Sequence, residues 1–171
     1  MAKTKEKQYS KSFSDKLSIS NTNLQRIIKF YLFECPVPGK SVRGRVFEDY
    51  GIKGSVAFSR LKKHMFEAAT NSLKDNYLPS SKADLPDNFR KVEAVHPPDE
   101  YCVFFKTDES SIMQSLYSAI RNAFAHGSFL VKNYDGVRIY FLSNYHDYLK
   151  AEIVLHEETL LKWINCIQNF M

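Results

Sequence analysis

The sequence contains little cysteine, and this limits the kinds of site that it can form. Its 171 residues include three cysteines, Cys35, Cys102 and Cys166. They are odd in number, far apart and outside any C-x-x-C pair, so they predict neither a disulfide framework nor a cysteine-ligated zinc site. Unpaired cysteines of this kind are typical of a reducing cytoplasm. We therefore expect a cytoplasmic protein without a metal or another cofactor.

Long hydrophobic runs are also missing. No 18 consecutive residues are apolar, so no membrane-spanning helix is expected. The first residues, MAKTKEKQYSKSFSDK, lack the apolar core of a secretory signal peptide. Apolar residues make up 44% and charged residues 25% of the chain, as in ordinary globular proteins. We predict a flexible basic tail over residues 1–19 and a single domain over residues 20–171.

The chain has more basic than acidic residues. Lys and Arg number 24 against 19 Asp and Glu, which weakly favours a polyanionic partner such as RNA. Four of the six glycines lie in residues 36–55, together with Lys40, Arg43, Arg45 and Lys53. Backbone freedom and positive charge together would suit contact with an RNA backbone. A basic surface loop without a specific role is the alternative for these four residues.

Hydrophobic periodicity separates a helical part from a short strand-rich part. Apolar residues recur at helical spacing over residues 21–34, 59–77, 108–126 and 157–170, with a weaker helix over residues 87–95. Between the last two long helices the period falls to two, in SFLVKN, VRIYFLS and LKAEIVL, with YDG as a hairpin turn. The prediction is a mainly α protein with a small antiparallel β-meander before the last helix.

The stretch YSAIRNAFAHGSF combines three polar residues with the end of a helix. Arg121 and Asn122 precede His126, and Gly127 is the expected left-handed cap. Arginine is permanently charged and presents a fork of donors to phosphate. Histidine titrates near neutral pH and can transfer a proton. These are the groups needed to cleave RNA without metal, because the 2′-hydroxyl must lose a proton, the leaving 5′-oxygen must gain one, and charge builds on the phosphorane.

Helix geometry supports only part of this hypothesis. Asn122 and His126 are four residues apart and share a face. Arg121 is five residues before His126, about 140° away around an ideal helix. A loosened last turn or a second subunit would have to bring Arg121 and His126 together. The alternative is an ordinary helix end, with a histidine favoured by the helix dipole and an arginine on the solvated face.

The same residues resemble the HEPN superfamily, whose ribonucleases carry an R-x(4–6)-H motif, often with Asn after the Arg. The wider sequence from Ser111 to Ile167 is similar to bacterial HEPN proteins related to plasmid-borne predicted toxins. The resemblance implies an up-and-down helical bundle and a cleft that a homodimer forms or completes. It implies a metal-independent endoribonuclease in toxin–antitoxin systems or antiviral defence, which leaves a 2′,3′-cyclic phosphate. Arg121 and His126 would be catalytic, and Asn122 would position them.

One position departs from that pattern. Some HEPN toxins have a tyrosine, modified by a partner nucleotidyltransferase, where this chain has Ser128. Control by modification at that site is therefore in doubt.

Two other functions compete with the ribonuclease hypothesis. The first is a non-catalytic HEPN module that binds a nucleotide or a protein within a larger defence or toxin–antitoxin complex; the 14% aromatic content would supply an interface. The second is a DNA-binding regulator, which is less favoured because no helix-turn-helix spacing is found and no helix concentrates the basic residues. The expected partners are RNA such as tRNA or mRNA, a second copy of the chain, and a cognate antitoxin or sensor protein.

Overall fold

A mixed five-stranded sheet forms the centre of the computed structural model, which describes residues 21–39 and 42–171. The strand order is β1-β2-β5-β4-β3; β1 and β2 are parallel, and the other neighbours are antiparallel. The strands are β1 Tyr77–Ser80, β2 Tyr101–Phe105, β3 Phe129–Tyr134, β4 Val137–His146 and β5 Tyr148–His156. The α-helices are α1 Thr22–Lys29, α2 Gly54–Phe66, α3 Asn71–Asp75, α4 Leu85–Val92, α5 Ile112–Ala125 and α6 Glu157–Gln168.

The predicted mainly α bundle is wrong, because β1 and β2 join the meander and turn it into an α/β architecture. The first four residues of β2, YCVF, are all buried. A short run that is apolar throughout shows no alternation, so its sequence does not distinguish a buried strand from a buried helix. Pro79 lies in β1, an edge strand, where the missing backbone N–H is tolerated. The helical bundle implied by the HEPN resemblance is therefore corrected to a sheet with helices on both faces.

The long helix predicted over residues 59–77 is broken into α2 and α3. Thr70 caps α3, since its hydroxyl accepts a hydrogen bond from the backbone N–H of Leu73 at 3.2 Å. The fully buried Glu100 fixes this cap: the Thr70 hydroxyl donates to its Oε1 at 3.2 Å, and the Ser72 hydroxyl donates to its backbone carbonyl at 2.8 Å. A residue distant in sequence thus decides where the helix is interrupted.

The predicted antiparallel meander is confirmed. Strands β3, β4 and β5 pair consecutively, and α6 begins directly after β5. Both turn residues between β3 and β4 have positive φ, 49° at Asp135 and 88° at Gly136. That pair is typical of a two-residue hairpin whose twist matches that of the strands.

Two apolar clusters lie on the two faces of the sheet. Helices α1, α2, α5 and α6 cover one face, and α4 covers β1 and β2 on the other. In the larger cluster, the indole N–H of Trp163 donates to the Met65 carbonyl at 3.2 Å, and the Tyr117 hydroxyl donates to the Trp163 carbonyl at 3.3 Å. Tyr117 belongs to α5, so these contacts hold that helix against α2 and α6.

Both ends of α5 are capped by its own sequence. Ser111 and Gln114 form a capping box: the Ser111 hydroxyl accepts from the Gln114 N–H at 3.1 Å, and the Gln114 side chain accepts from the Ser111 N–H at 2.9 Å. The helix therefore begins at Ile112, later than the predicted residue 108. At the other end Gly127 has φ 64° and Ser128 N–H donates to the Ala123 carbonyl at 2.9 Å, so the predicted glycine cap is confirmed.

The predicted tail, residues 1–19, lies outside the described residues. Within residues 21–39 and 42–171, no helix combines the length and apolar character needed to cross a membrane.

Candidate active site

Arg121 and Asn122 form a pair near the end of α5. Both side chains are half-buried, and Nη1 of Arg121 donates a hydrogen bond to Oδ1 of Asn122 at 3.3 Å. The Nε atom of Arg121 is buried and has no hydrogen-bond partner among the described residues. Because an unpaired buried N–H is costly, the guanidinium would be stabilised by a further acceptor.

The chain that follows α1 covers Arg121. The Cys35 thiol donates to the carbonyl of Tyr117, one turn before Arg121, with 3.9 Å between Sγ and O. Burial raises the pKa of the Cys35 thiol well above its usual range, and the nearby charge of Arg121 acts in the opposite direction. Arg121 is thus held against protein, whereas an ordinary helix end would leave its side chain in solvent.

His126 is the exposed member of the predicted catalytic set. It is the C-cap of α5, with φ −95° and ψ 3°, and its backbone N–H donates to the Asn122 carbonyl at 3.0 Å. The described part of the chain offers its ring no hydrogen-bond or ion-pair partner. The imidazole is therefore accessible to a ligand from solvent.

The structure joins only two of the three predicted catalytic side chains. Arg121 donates to Asn122, whereas the His126 ring forms no hydrogen bond or ion pair with either residue. On an ideal helix His126 lies about 40° from Asn122 and about 140° from Arg121. Arg121 and His126 therefore project to the two sides of Asn122, and no hydrogen bond links them among the described residues.

A polar cleft of about 410 Å³ lies along α5 and includes Asn122. It opens beyond the carboxyl end of β2, and open α/β sheets commonly bind ligands at the carboxyl ends of their strands. Helix α5 and the residues before it supply Glu109, Ser110, Gln114, Ser115, Ser118, Ala119 and Asn122; the other walls are Val37, Pro38, Phe105, Thr107, Asn144 and Lys150.

Hydroxyl and amide groups dominate the polar lining, with one cation and one anion. Lys150 reaches the cleft from β5, and Glu109 reaches it from the segment before α5. Serine, threonine and asparagine side chains donate hydrogen bonds to phosphate and sugar oxygens, and lysine binds phosphate as a point charge. His126 follows one turn beyond Asn122 on the same side of α5. The cleft is thus chemically suited to a sugar–phosphate ligand.

Of the four basic residues predicted to contact RNA, the three that the structure describes, Arg43, Arg45 and Lys53, do not line this cleft. Arg43 forms an ion pair with Glu34 at 3.4 Å, while Arg45 and Lys53 are exposed. Lys40 lies outside the described residues. The segment of residues 36–55 contributes Val37 and Pro38 to the cleft wall. It therefore shapes the cleft, whereas its described cations do not line it.

Sequence reasoning missed the cleft residues that come from strand ends. Thr107 is distant in sequence from Asn144 and Lys150, and the sheet brings all three to the cleft that Asn122 lines. Lys150 had no local signal, because it is the extra residue of a β-bulge: Asn144 pairs with Ala151 and Tyr145 pairs with Leu149, which leaves Lys150 without a partner in the register.

Comparisons of the chain with protein-family models, with curated proteins and with solved structures found no match. Within residues 21–39 and 42–171, no group of three or more His, Cys, Asp or Glu side chains is placed to hold a metal ion. The fold and the site define an α/β protein with a mixed sheet and a polar cleft beside one long helix. Its particular feature is a half-buried Arg–Asn pair followed by an exposed histidine at the end of that helix.

Proposed function

We propose that the protein is a metal-independent endoribonuclease that binds RNA along α5. The observation that carries the proposal is the arrangement at the end of this helix. Arg121 is held by Asn122 beside a polar cleft, and the exposed His126 follows one turn later. A fixed phosphate-binding cation and an accessible proton-transfer group are what RNA cleavage by the 2′-hydroxyl requires.

Each side chain has a separate role in the proposed reaction. The 2′-oxygen loses its proton and bonds to the adjacent phosphorus, while the bond from phosphorus to the 5′-oxygen breaks. His126 acts in one of the two proton transfers, as the base for the 2′-hydroxyl or the acid for the leaving 5′-oxygen, and solvent water accepts or supplies the other proton. Arg121 stabilises the charge on the non-bridging oxygens, and Asn122 holds the guanidinium in place. The products are a 2′,3′-cyclic phosphate and a 5′-hydroxyl.

A homodimer would complete this site. No hydrogen bond links Arg121 and His126, and the His126 ring is exposed and without a hydrogen-bond or ion-pair partner among the described residues. Two copies that pack near the ends of their α5 helices would place His126 of one protomer against Arg121 of the partner subunit. The resemblance to HEPN ribonucleases over residues 111–167 supports the same arrangement, since their motif lies in a dimer cleft.

The biological setting that we propose rests on that resemblance. The protein would act in the cytoplasm as a toxin or an antiviral defence effector, and a cognate antitoxin or sensor protein would restrain or trigger it. Its substrate would be tRNA or mRNA.

The test is cleavage of total RNA and tRNA in EDTA by the wild type, His126→Ala and the control His96→Ala. His96 is also exposed but lies in the segment after α4. We expect the wild type and His96→Ala to cut and His126→Ala to leave the RNA intact. Both variants should keep the wild-type free energy of unfolding to within about 0.5 kcal/mol, because each removes an exposed side chain. Unfolding of His126→Ala would favour the ordinary helix end, and undiminished cleavage would contradict the proposed role.

A non-catalytic nucleotide-binding module is the second candidate. The cleft volume favours it, since about 410 Å³ is within the size range of small-ligand pockets. The lack of a hydrogen bond between Arg121 and His126 among the described residues favours it as well. Under this function the dimeric wild type would bind a mononucleotide in a calorimetric titration and leave RNA intact after long incubation. Cleavage that His126→Ala abolishes would exclude it.

A further inference from the structure

A tyrosine with two lysines beside its ring lies next to the cleft. The Nζ atoms of Lys82 and Lys150 are 5.0 and 5.2 Å from the centroid of the half-buried Tyr148 ring. Neither ammonium forms an ion pair with a carboxylate among the described residues. The two cations are therefore held near one ring, and their separation cannot exceed the sum of those two distances.

The sheet register explains why these residues meet. Phe104 of β2 pairs with Ala151 of antiparallel β5, so the beginning of β5 lies beside the carboxyl end of β2. Strand β1 runs parallel to β2, and Lys82 follows two residues after its last residue. Lys82, Tyr148 and Lys150 thus gather at the edge of the sheet where the cleft opens.

Lys150 connects this cluster with the cleft. Its ammonium lies over Tyr148, and its side chain lines the cleft that Asn122 also lines. Tyr148 packs against the smaller apolar cluster, on the face that α4 covers, so Lys150 lies between the cleft and the tyrosine ring.

We propose that Lys82, Tyr148 and Lys150 form an anchoring subsite for single-stranded RNA. The inference rests on the proposed function, because the subsite holds the RNA segment next to the phosphate that Arg121 and His126 act on. The lysines bind successive phosphates of the strand, and the tyrosine ring stacks with a base. Single strands are bound in this way by positively charged grooves with aromatic side chains.

The charges and the shape of this region select the ligand. Two ammonium groups without ion-pair partners are complementary to a polyanion. Glu152, two residues after Lys150, accepts a hydrogen bond from the Tyr101 hydroxyl at 2.6 Å and is thereby held towards β2. A half-buried ring beside two cations suits a strand whose bases are unpaired, whereas duplex RNA is recognised across its wide minor groove.

The experiment measures binding of a fluorescein-labelled oligouridylate of about 12 nucleotides by fluorescence anisotropy. His126→Ala is the background, so that the probe stays intact. Lys82→Ala should raise the Kd about fivefold at low salt and reduce the dependence of log K on log salt by about 0.7, the contribution of one phosphate contact in a single strand. Tyr148→Leu in the same background should raise the Kd about tenfold through lost stacking.

Lys132→Ala is the matched control. Its ammonium lies 5.7 Å from the Phe141 centroid, so it too is a lysine over an aromatic ring, but it lies on β3, away from the cleft. We expect its Kd to remain within about twofold of the background value. Equal losses from Lys82→Ala and Lys132→Ala would show general charge attraction and overturn the subsite.

Two further readouts separate the subsite from the proposed function. Lys82 is exposed, so we expect Lys82→Ala to keep the fold. If Tyr148→Leu lowers the melting temperature, the Kd of Lys82→Ala alone tests the subsite. In protein that retains His126, Lys82→Ala should raise KM and leave kcat unchanged. Lys82-dependent binding without any cleavage would retain the subsite and refute the ribonuclease. Cleavage by Lys82→Ala with unchanged Kd and KM would refute the subsite and retain the ribonuclease.

Discussion

At the scale of single residues, the surroundings of Arg121 and His126 separate two interpretations of one motif. An arginine at an ordinary helix end extends into solvent and contributes little. Here the guanidinium is half-buried, bonded to Asn122 and close to Cys35, whereas His126 remains open to solvent. A cation fixed by protein beside a free imidazole favours a chemical role for the pair.

Arg121→Lys tests the need for the guanidinium fork. Lysine keeps the charge but cannot make two parallel hydrogen bonds to phosphate. We expect the single-turnover cleavage rate to fall about 10²- to 10³-fold, as when one donor to a transition-state oxyanion is removed. Arg90→Lys is the control, because Arg90 is exposed and pairs only with Asp87 at the surface. Wild-type cleavage by Arg121→Lys would show that charge alone is sufficient.

At the scale of the elements, local patterns predicted the part of the chain that contains the site. The caps and apolar period of α5, the hairpin of β3 and β4, and the start of α6 are all signalled by neighbouring residues. The interruption between α2 and α3 depends on Glu100, about 30 residues away, and the strand identity of β2 depends on its neighbours in the sheet. No local pattern contains those contacts, so the fold class was predicted wrongly.

The candidate site divides in the same way. Arg121, Asn122 and His126 could be found because they are close in sequence and follow one helix. The cleft could not be found, since Thr107 and Lys150 meet Asn122 only after β2 and β5 have paired. The cations Arg43, Arg45 and Lys53 were predicted from their charge and the glycines between them, and the structure does not place them in the lining of the cleft.

Ser111→Ala tests the element that carries the site. The substitution removes the hydroxyl that caps α5, so we expect the free energy of unfolding in urea to fall by about 1 kcal/mol. Ser110→Ala is the control, because Ser110 is exposed and precedes the cap. An equal loss from both variants would mean that the capping box does not stabilise the helix.

At the scale of the whole molecule, we propose that two chains form the active site. No hydrogen bond links Arg121 and His126 among the described residues, and the exposed His126 ring is accessible to a second protomer. The sheet and the packed helices hold α5 in a fixed position. In the proposed dimer, the subunit interface would therefore set the distance between His126 of one protomer and Arg121 of its partner, and catalysis would depend on dimerisation.

Mixing inactive variants tests this condition. Arg121→Ala and His126→Ala should each be inactive alone, and their mixture should recover part of the wild-type cleavage rate. Recovery is expected because a heterodimer has one site with both residues, each supplied by a different chain. The rate is followed with labelled tRNA after subunit exchange. A mixture that stays inactive although heterodimers form would show that both residues act from the same chain.

The most direct measurement concerns the chemistry of the cut itself. A short RNA that contains one mapped cleavage site is compared, in EDTA, with the same RNA carrying a 2′-deoxy nucleotide on the 5′ side of that bond. The proposed mechanism predicts that the wild type cuts the first RNA to a 2′,3′-cyclic phosphate and leaves the second intact, because the 2′-oxygen is the nucleophile. Cleavage at the 2′-deoxy position, or an uncut first RNA with the dimeric wild type, would contradict the mechanism.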